Sequence, residues 1–327
     1  MPPQTVDFRE KALGAFFEWL ASLKAPLQSL GIQHLQDINI QDNKTYARIL
    51  VVLRKLRSLR LSIVTEHSTA TTEARLERWY EEKFSRFSES QFFFTFLPSL
   101  WLKPTASSLE HLTLSCDSWF GFRPKLELSE VHFPHLKSLV LGRFSFFQDS
   151  QLEWILSHGA TLNELFLDDC MILYDLCLFE DNLGWLSFKK GDMETRLEDY
   201  GYLGYYRSYD KRWHHYFDAF RARLPRLRHF RIGASDYYWL RGAPLDTETQ
   251  IRIGLLVDRY RVFYDGYRPS PYLDVDYDPQ PWQRDAPRCD EEDRKSLRLL
   301  FKHIGQEVEE SWSLHDIRVE DLIEVWS

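Results

Sequence analysis

The chain has 327 residues, of which 44% are hydrophobic and 28% charged, and its formal net charge is −8 at pH 7. This composition predicts a folded globular protein, and the acidic balance argues against a general nucleic-acid binder. No apolar run approaches the roughly 18 residues of a membrane-spanning helix, and the first residues lack a signal-peptide pattern. The four cysteines have no C-x-x-C spacing, so the expected compartment is the cytoplasm or the nucleus.

The first predicted element is a helix over residues 8–30, which leads into a recurring strand pattern. The pattern is L-x-x-L-x-L, with large apolar residues at its first, fourth and sixth positions. Its six copies begin at Leu35, Leu56, Leu109, Leu136, Leu162 and Leu227. The spacings from Leu109 to Leu136 and from Leu136 to Leu162 are 27 and 26 residues, which fall inside the range of leucine-rich repeats.

Helices are predicted between the strands, over residues 43–56, 149–159 and 212–225. The second of these has Asp149 or Ser150 as a candidate N-cap and Gly159 as its stop. Strand–helix units of this kind cannot bury their apolar faces alone and therefore stack. The predicted fold is α/β: a leucine-rich-repeat solenoid over residues 1–245, with a curved parallel sheet inside and helices outside.

Two insertions interrupt the repeats. Residues 65–90 begin with a Ser/Thr/Glu-rich loop and continue as a short helix. Residues 174–211 are rich in aromatic side chains, namely Tyr174, Trp185, Tyr200, Tyr202, Tyr205, Tyr206 and Tyr209. These rings either form a contact surface or cover the edge of the solenoid.

Residues 246–327 are predicted to form a C-terminal cap region packed on the solenoid. The stretch that follows residue 245 fits a helix or a pair of strands, and the proline-rich residues 269–287 fit a loop. Residues 289–311 predict an amphipathic helix, with acidic residues in its first turn. Its apolar face consists of Leu297, Leu300, Phe301 and Ile304.

Side chains alternate along a strand, so the third, fifth and seventh positions of each repeat face away from the core, on the concave surface. Candidate protein-binding residues are therefore Asp37, Asn39, Gln41, Arg60, His111, Thr113, Val140, Glu164, Phe166, Asp168, His229 and Arg231. The remaining positions hold Ser58, Ser62, Ser115, Ser138, Gly142 and Gly233. Phe166, between Glu164 and Asp168, is a candidate binding anchor if it is exposed. The alternative is that an insertion covers it.

Two clusters could carry chemistry, and each has a plainer interpretation. His214 and Asp218 lie four residues apart on a predicted helix, which suits a metal or an acid/base pair, or simply a hydrogen bond at the surface. Four aspartates are spaced like ligands of an EF-hand calcium loop: Asp274, Asp276, Asp278 and Asp285. However, Pro279 occupies the position where that loop requires glycine. An acidic loop is favoured. We expect no catalytic residue, no metal and no cofactor, and no nucleotide-binding or hydrolase motif occurs.

The stretch "FPHLKSLVLGRFSFFQDSQLEWILSHGATLNELFLDDCMIL" (133–173), together with "LRSLRLSIVTEH", "LEHLTLSCDSWFGF" and "LRLLFKHIGQEVE", resembles the leucine-rich region of filamentous-fungal F-box proteins. The resemblance extends from about residue 7 to about residue 310. It implies a substrate receptor of a cullin–RING ubiquitin ligase, in which an F-box binds a Skp-type adaptor and the repeats hold the target.

Residues 8–30 match the segment that precedes the repeats in that family rather than the F-box itself. The resemblance therefore implies the substrate-recognition part of such a receptor, with adaptor and cullin as partners only if an F-box function survives. The protein target is not readable from the repeats. The alternatives are a leucine-rich-repeat scaffold without ubiquitin chemistry, or an enzyme that uses His214 and Asp218.

Overall fold

The structure is a computed structural model, and it describes residues 6–64, 82–186, 188–197, 203–235, 251–265, 270–274 and 285–307. The helices of this part of the chain are α1 (Val6–Ala21), α2 (Asn43–Leu53), α3 (Glu82–Leu97), α4 (Asp149–Leu156), α5 (Glu180–Leu186), α6 (Trp213–Arg223) and α7 (Asp290–Ile304). The strands are β1 (Ser29–Gln36), β2 (Ser58–Val64), β3 (His111–Phe120), β4 (Ser138–Phe146), β5 (Glu164–Asp168), β6 (Met171–Leu178), β7 (Glu194–Leu197), β8 (Leu203–Ser208), β9 (His229–Ala234), β10 (Arg252–Ile253), β11 (Tyr260–Tyr264) and β12 (Tyr272–Leu273). The fold is mixed α/β, as predicted.

Seven of these strands form the main sheet, which is mostly parallel. They lie in the order β1-β2-β3-β4-β5-β9-β10, and each is hydrogen-bonded to the next. β1 to β5 and β9 run parallel to one another, whereas β10 runs antiparallel to β9. Strands that follow one another in the chain are thus mostly neighbours in the sheet, as expected for short connections.

The recurring apolar residues are aligned across this sheet. Two rows run through successive strands from β2 to β9, each made of direct register partners. The first row is Leu59, Leu112, Leu139, Leu165 and Phe230, and the second is Leu61, Leu114, Leu141, Leu167 and Ile232. All ten side chains are at most 4% exposed. Burial of each one contributes roughly 1.5–3 kcal/mol, so these rows are the main source of stability in the sheet.

The first copy of the pattern lies earlier in the chain than the sequence suggested. Leu30 and Ile32 of β1, not Ile38 and Ile40, pair with the two apolar rows, opposite Leu59 and Leu61. Residues 37–42 are instead needed for the turn into α2. Asp42 caps that helix by accepting hydrogen bonds from the backbone N–H groups of residues 44 and 45. The predicted copy that begins at Leu35 is therefore wrong, and the residues from Leu27 to Ile32 supply the same spacing.

The three helices predicted between strands are present as α2, α4 and α6. α4 begins after Gln148, which forms a capping box with Gln151, so neither Asp149 nor Ser150 is the N-cap. α6 ends two residues before Pro225, where a proline would disrupt the helix. The segment between β3 and β4 is different, because residues 121–137 run as turns and irregular backbone. No helix of the described residues is long and apolar enough to cross a membrane.

A second group of strands is joined to the main sheet through β4. The last residues of β4 pair with β6, and β6 also pairs with β8 and β11. The hairpin β7–β8 and the strand β12 complete this group. Tyr174, Tyr205 and Tyr206 are at most 6% exposed, which agrees with the interpretation that the described rings of insertion 174–211 cover an edge. The side chains of Trp185, Tyr200 and Tyr202, like residues 65–81, lie outside the described part.

The C-terminal region is built into both groups of strands. The described part of the stretch after residue 245, residues 251–265, contains strands and no helix, and the strands pair with earlier ones: β10 with β9 and β11 with β6. The amphipathic helix is present as α7, which packs against α6 and ends at Gly305 in a left-handed conformation. Its predicted apolar face, Leu297, Leu300, Phe301 and Ile304, is buried.

The position of β1 can be tested by truncating one residue from each competing pattern. Leu30→Ala should lower the free energy of unfolding by about 3 kcal/mol, because Leu30 is 5% exposed and its loss leaves a cavity. Ile38→Ala should cost about 1 kcal/mol or less, because Ile38 is half-buried and outside the strand. Urea unfolding followed by circular dichroism measures both. A larger loss of stability for Ile38→Ala than for Leu30→Ala would instead support the strand predicted to begin at Leu35.

Candidate functional site

The face of the main sheet opposite the apolar rows carries the predicted binding residues; we name it the polar face. Its members form three rows of register partners. They are Ser58, His111, Ser138, Glu164 and His229; then Arg60, Thr113, Val140, Phe166 and Arg231; then Ser62, Ser115, Gly142, Asp168 and Gly233. The sequence therefore identified which residues from β2 to β9 share one face.

The first row of the polar face is the most accessible. His111 is exposed, and Ser58, Glu164 and His229 are half-buried. Burial, and then the neighbouring Arg231 guanidinium, lower the pKa of His229. A neutral imidazole can accept the hydrogen bond that Arg231 Nε donates to His229 Nε2 at 3.4 Å. This row therefore presents a mixture of donors and acceptors at the strand starts.

The middle row is covered, and Phe166 is not an exposed anchor. Phe166 is 4% exposed and Val140 is 6% exposed, and both pack against Ile251 just before β10. Arg231 Nη1 donates a hydrogen bond to the Ile251 carbonyl at 3.2 Å, which holds the covering segment in place. Phe166 is therefore covered, but the covering residue belongs to the C-terminal region and not to an insertion, which was the expected alternative.

The third row contains a buried carboxylate. Asp168 is 4% exposed, and it accepts hydrogen bonds from Ser235 N at 2.7 Å and Ser235 Oγ at 2.6 Å. Burial raises its pKa to about 7, even though the Ser235 hydrogen bonds lower it. Beside it, Gly233 has φ +155°, and a Cβ there would lie 1.7 Å from the Arg252 carbonyl oxygen. Asp168 is thus part of a closed corner between β5, β9 and β10.

The three predicted binding residues nearest the N-terminus leave the polar face. Asp37, Asn39 and Gln41 lie in the connection from β1 to α2, because the strand ends at Gln36. Asp37 is 5% exposed, and Gln41 donates its backbone N–H to Glu10 of α1 at 2.5 Å. Asn39 lines a groove of about 300 Å³ between α1 and β1. These three residues therefore belong to the connection between β1 and α2 and not to the polar face.

A buried carboxylate connects α6, α7 and β11. Asp293 is fully buried, and its Oδ1 accepts hydrogen bonds from His214 N and His214 Nδ1, both at 2.9 Å. Its Oδ2 accepts from Arg259 Nε at 3.1 Å and Tyr260 Oη at 2.7 Å. Arg259 also pairs with Asp290. We name these residues, with Cys289, the Asp293 cluster.

The sequence anticipated a partner for His214 but identified the wrong one. Asp218 pairs with Arg221, three residues further along α6, and His214 pairs with Asp293, which is 79 residues away. Residues so far apart give no signal in the local spacing. The predicted pair of His214 and Asp218 therefore does not form.

The chemistry of the Asp293 cluster is that of a structural network. His214, Cys289 and Asp293 offer ligand atoms within 4.8 Å of one another, a spacing that could suit a metal ion. However, each oxygen of the Asp293 carboxylate already accepts at least two hydrogen bonds. A metal ion bound there would also lie close to the positive Arg259 guanidinium, which would repel it. Burial raises the pKa of the Cys289 thiol to about 11, so it is neither a ready thiolate ligand nor a nucleophile at neutral pH.

The remaining acidic residues do not build the calcium-loop arrangement within the described part. Asp274 follows β12 and is half-buried, and Asp285 is exposed ahead of α7. Asp276 and Asp278 lie outside the described residues.

Comparisons with known proteins found no matching family model, no matching curated protein and no matching solved structure. The polar face, the groove and the Asp293 cluster are therefore the features of this molecule that bear on its function.

The Asp293 cluster predicts one large and one small effect. Asp293→Asn should lower the free energy of unfolding by about 3 kcal/mol, because it removes the charge that balances the buried Arg259. Asp218→Asn should change it by less than about 1 kcal/mol, because its pair with Arg221 is partly exposed. Urea unfolding at pH 7 compares the two. Equal effects would contradict the structural role of the cluster.

The buried Asp168 predicts a pH dependence. Its folded-state pKa of about 7 lies above the ordinary value of 3.8. Between these two pH values, the folded protein therefore holds a proton on Asp168 that the unfolded chain has released. The contribution of Asp168 to stability is therefore complete below about pH 4 and is lost as the pH rises to 7.

Asp168→Asn keeps both contacts to Ser235 but removes the titration. Relative to this variant, the parent protein should lose stability between pH 5 and 7 by up to about 1.4 kcal/mol per pH unit. Urea unfolding of both proteins at pH 5, 6, 7 and 8 measures the difference. The exposed-site variant Glu130→Gln serves as the control. A constant difference between Asp168→Asn and the parent would contradict the raised pKa.

Proposed function

We propose that this chain is a leucine-rich-repeat solenoid that binds a protein partner through the accessible part of its polar face. The observation that carries the proposal is the alignment of the L-x-x-L-x-L copies as register partners in neighbouring parallel strands. Stacked repeats of this kind contact only their neighbours and create an extended face suited to a macromolecular partner.

The accessible residues of the polar face support a protein rather than a nucleic acid as the partner. Its first row offers His111, Glu164 and His229, a mixture of imidazoles and a carboxylate. The net charge of −8 lacks the excess of cations that phosphate binding requires. Because Phe166 and Val140 are covered, we place the contact on this first row and on Arg60, rather than on the middle of the sheet.

We further propose that the protein is the substrate-recognition part of an F-box-type receptor of a cullin–RING ubiquitin ligase. The support for this step is the sequence resemblance over residues 133–173 and the shorter segments that accompany it. A Skp-type adaptor and a cullin would then be partners, and the cytoplasm or the nucleus the site of action. A leucine-rich-repeat scaffold without ubiquitin chemistry has the same fold, so the identity of the partners separates the two.

An enzyme that uses His214 and Asp218 is the weaker candidate. That hypothesis needs the two side chains to act together, and the structure pairs each of them with a different residue. His214 lies in the Asp293 cluster, whose hydrogen bonds tie α6 to α7 and β11. We therefore make no assignment of a catalytic role.

The test is quantitative affinity purification from the source organism, with the tagged chain, followed by mass spectrometry. The double variant His111→Glu/Glu164→Lys replaces an imidazole with a carboxylate and a carboxylate with an ammonium group in the first row of the polar face. The matched control His303→Glu/Glu291→Lys makes the same changes at exposed positions of α7. We expect the control to retain the partner set and the polar-face variant to lose its target at least tenfold.

The adaptor and cullin provide a separate outcome. If the chain is a ligase receptor, both should be recovered with the parent protein and with the polar-face variant, because target binding and adaptor binding use different surfaces. Recovery of a stable target without adaptor or cullin would contradict the ligase assignment and support the scaffold. Equal loss of the target from both double variants would contradict the polar face as the binding surface.

A further inference from the structure

A row of polar residues stands immediately before the strands of the main sheet, from β2 to β9. The backbone N–H of each residue donates a hydrogen bond to the carbonyl of its counterpart on the strand before, and these bonds are 2.7–2.8 Å long. They extend the ladder of the sheet by one step beyond the strands. In sheet order the row is Arg57, Glu110, Lys137, Asn163 and Arg228. We name it the entry row.

Positive charge is concentrated on the entry row and on the turns that lead into it. Arg57, Lys137 and Arg228 are exposed, and Glu110 is the one anion of the row. The turns add Lys55 and Arg226, which are also exposed and which form no ion pair with another described residue. We name these five cations the basic edge. Its charge is opposite in sign to the net charge of the chain, which is −8.

Intramolecular contacts account for only part of this charge. Glu110 lies between two cations: its Oε1 accepts a hydrogen bond from Arg57 at 3.1 Å, and its Oε2 accepts one from Lys137 at 2.6 Å. The side chains of Arg57 and Lys137 are still 64% and 51% exposed, so these pairs contribute little to stability. Arg228 donates to two backbone carbonyls of the preceding turn, which leaves its charge unneutralised. The basic edge therefore keeps a net positive charge.

The cations of the entry row have a regular spacing. Neighbouring strands lie about 4.8 Å apart. Arg57, Lys137 and Arg228 precede every second strand, so their Cα atoms are about 10 Å apart along the edge. A polyproline II helix has three residues per turn and rises about 3.1 Å per residue, so every third side chain lies on one face, about 9.3 Å from the last. The two periods match.

We propose that the basic edge binds an acidic segment of another protein chain, in polyproline II conformation and with an acidic side chain at every third position. The segment crosses the strands, and its successive carboxylates meet Arg57, Lys137 and Arg228. Charge complementarity identifies the chemistry of this partner. Lys55 and Arg226 lie at opposite ends of the edge, where they attract acids that flank the segment.

The basic edge is distinct from the polar face and goes beyond the proposed function. It would serve a scaffold as well as a ligase receptor, because it needs neither the adaptor nor the target of the polar face. Its residues precede the strands, whereas the first row of the polar face begins with the strands themselves.

A nucleic acid fits the basic edge less well than an acidic protein segment. A nucleic-acid strand carries a negative charge at every nucleotide, and the entry row places Glu110 and Asn163 between its cations. Glu164, directly after Asn163, adds a second carboxylate close to the edge. An unbroken polyanion would meet repulsion at these positions and from the net charge of the chain. A protein segment with neutral residues between its acids avoids it.

The first test compares two peptides of the same composition by fluorescence polarisation with the full chain. The spaced peptide is fluorescein-labelled (Glu-Pro-Pro)4, and the block peptide has the four glutamates followed by the eight prolines. We expect the spaced peptide to bind at least fivefold more tightly. Raising NaCl from 50 to 300 mM should weaken its binding at least fivefold, because salt screens exposed charges.

The second test removes charge from the basic edge. Arg57→Gln/Lys137→Gln/Arg228→Gln should weaken binding of the spaced peptide at least tenfold. The control Lys295→Gln/Arg298→Gln/Lys302→Gln removes the same charge from exposed positions of α7 and should bind within twofold of the parent. Lys55→Gln/Arg226→Gln removes two cations that form no ion pair and should weaken binding at least twofold. Circular dichroism confirms that each variant is folded.

Three results would count against these expectations. Failure of the parent chain to bind either peptide, or equal losses in the two triple variants, would overturn the proposal. Equal binding of the spaced and block peptides would overturn the polyproline II spacing. Tighter binding of a twelve-nucleotide oligothymidylate than of the spaced peptide would overturn the protein partner in favour of a nucleic acid.

Discussion

Hydrogen bonding between parallel strands sets the position of almost every other feature in this protein. Once β2, β3, β4, β5 and β9 pair without a shift over their first residues, the repeated leucines must form continuous rows. A slip of one residue would turn every side chain to the opposite face and expose the leucines. The same register places His111, Glu164 and His229 beside one another, so the proposed binding surface would be a consequence of the core.

The C-terminal region completes what the earlier strands leave open. Ile251 closes the middle of the polar face over Val140 and Phe166, and β11 extends the second group of strands beside β6. The Asp293 cluster then fixes α7 against α6 through a carboxylate whose oxygens each accept at least two hydrogen bonds. A network of this kind specifies one arrangement, because any displacement of the helices leaves a buried charge unbalanced.

The sequence predicted the parts that depend on local periodicity. The strands that follow Leu109, Leu136 and Leu162, and the helices α2, α4, α6 and α7, all follow from spacing and chain breaks. The first strand was misplaced because two neighbouring segments, 27–32 and 35–40, have the same pattern, and the cap at Asp42 favours the first of them. The burial of Phe166 and the partner of His214 depend on residues more than 75 positions away. Contacts at such distances leave no trace in local spacing.

The cover over Phe166 has a consequence for synthesis of the chain. The strands β2 to β5 can pair as each one leaves the ribosome, but Ile251 is made 85 residues after Phe166. At about 5–20 residues per second, this delay is roughly 4–17 seconds. During that interval β9 is also still to be made, and Phe166 and Val140 form an apolar spot on the strands that have already paired. The chain therefore passes through a stage in which this apolar spot has no cover from Ile251.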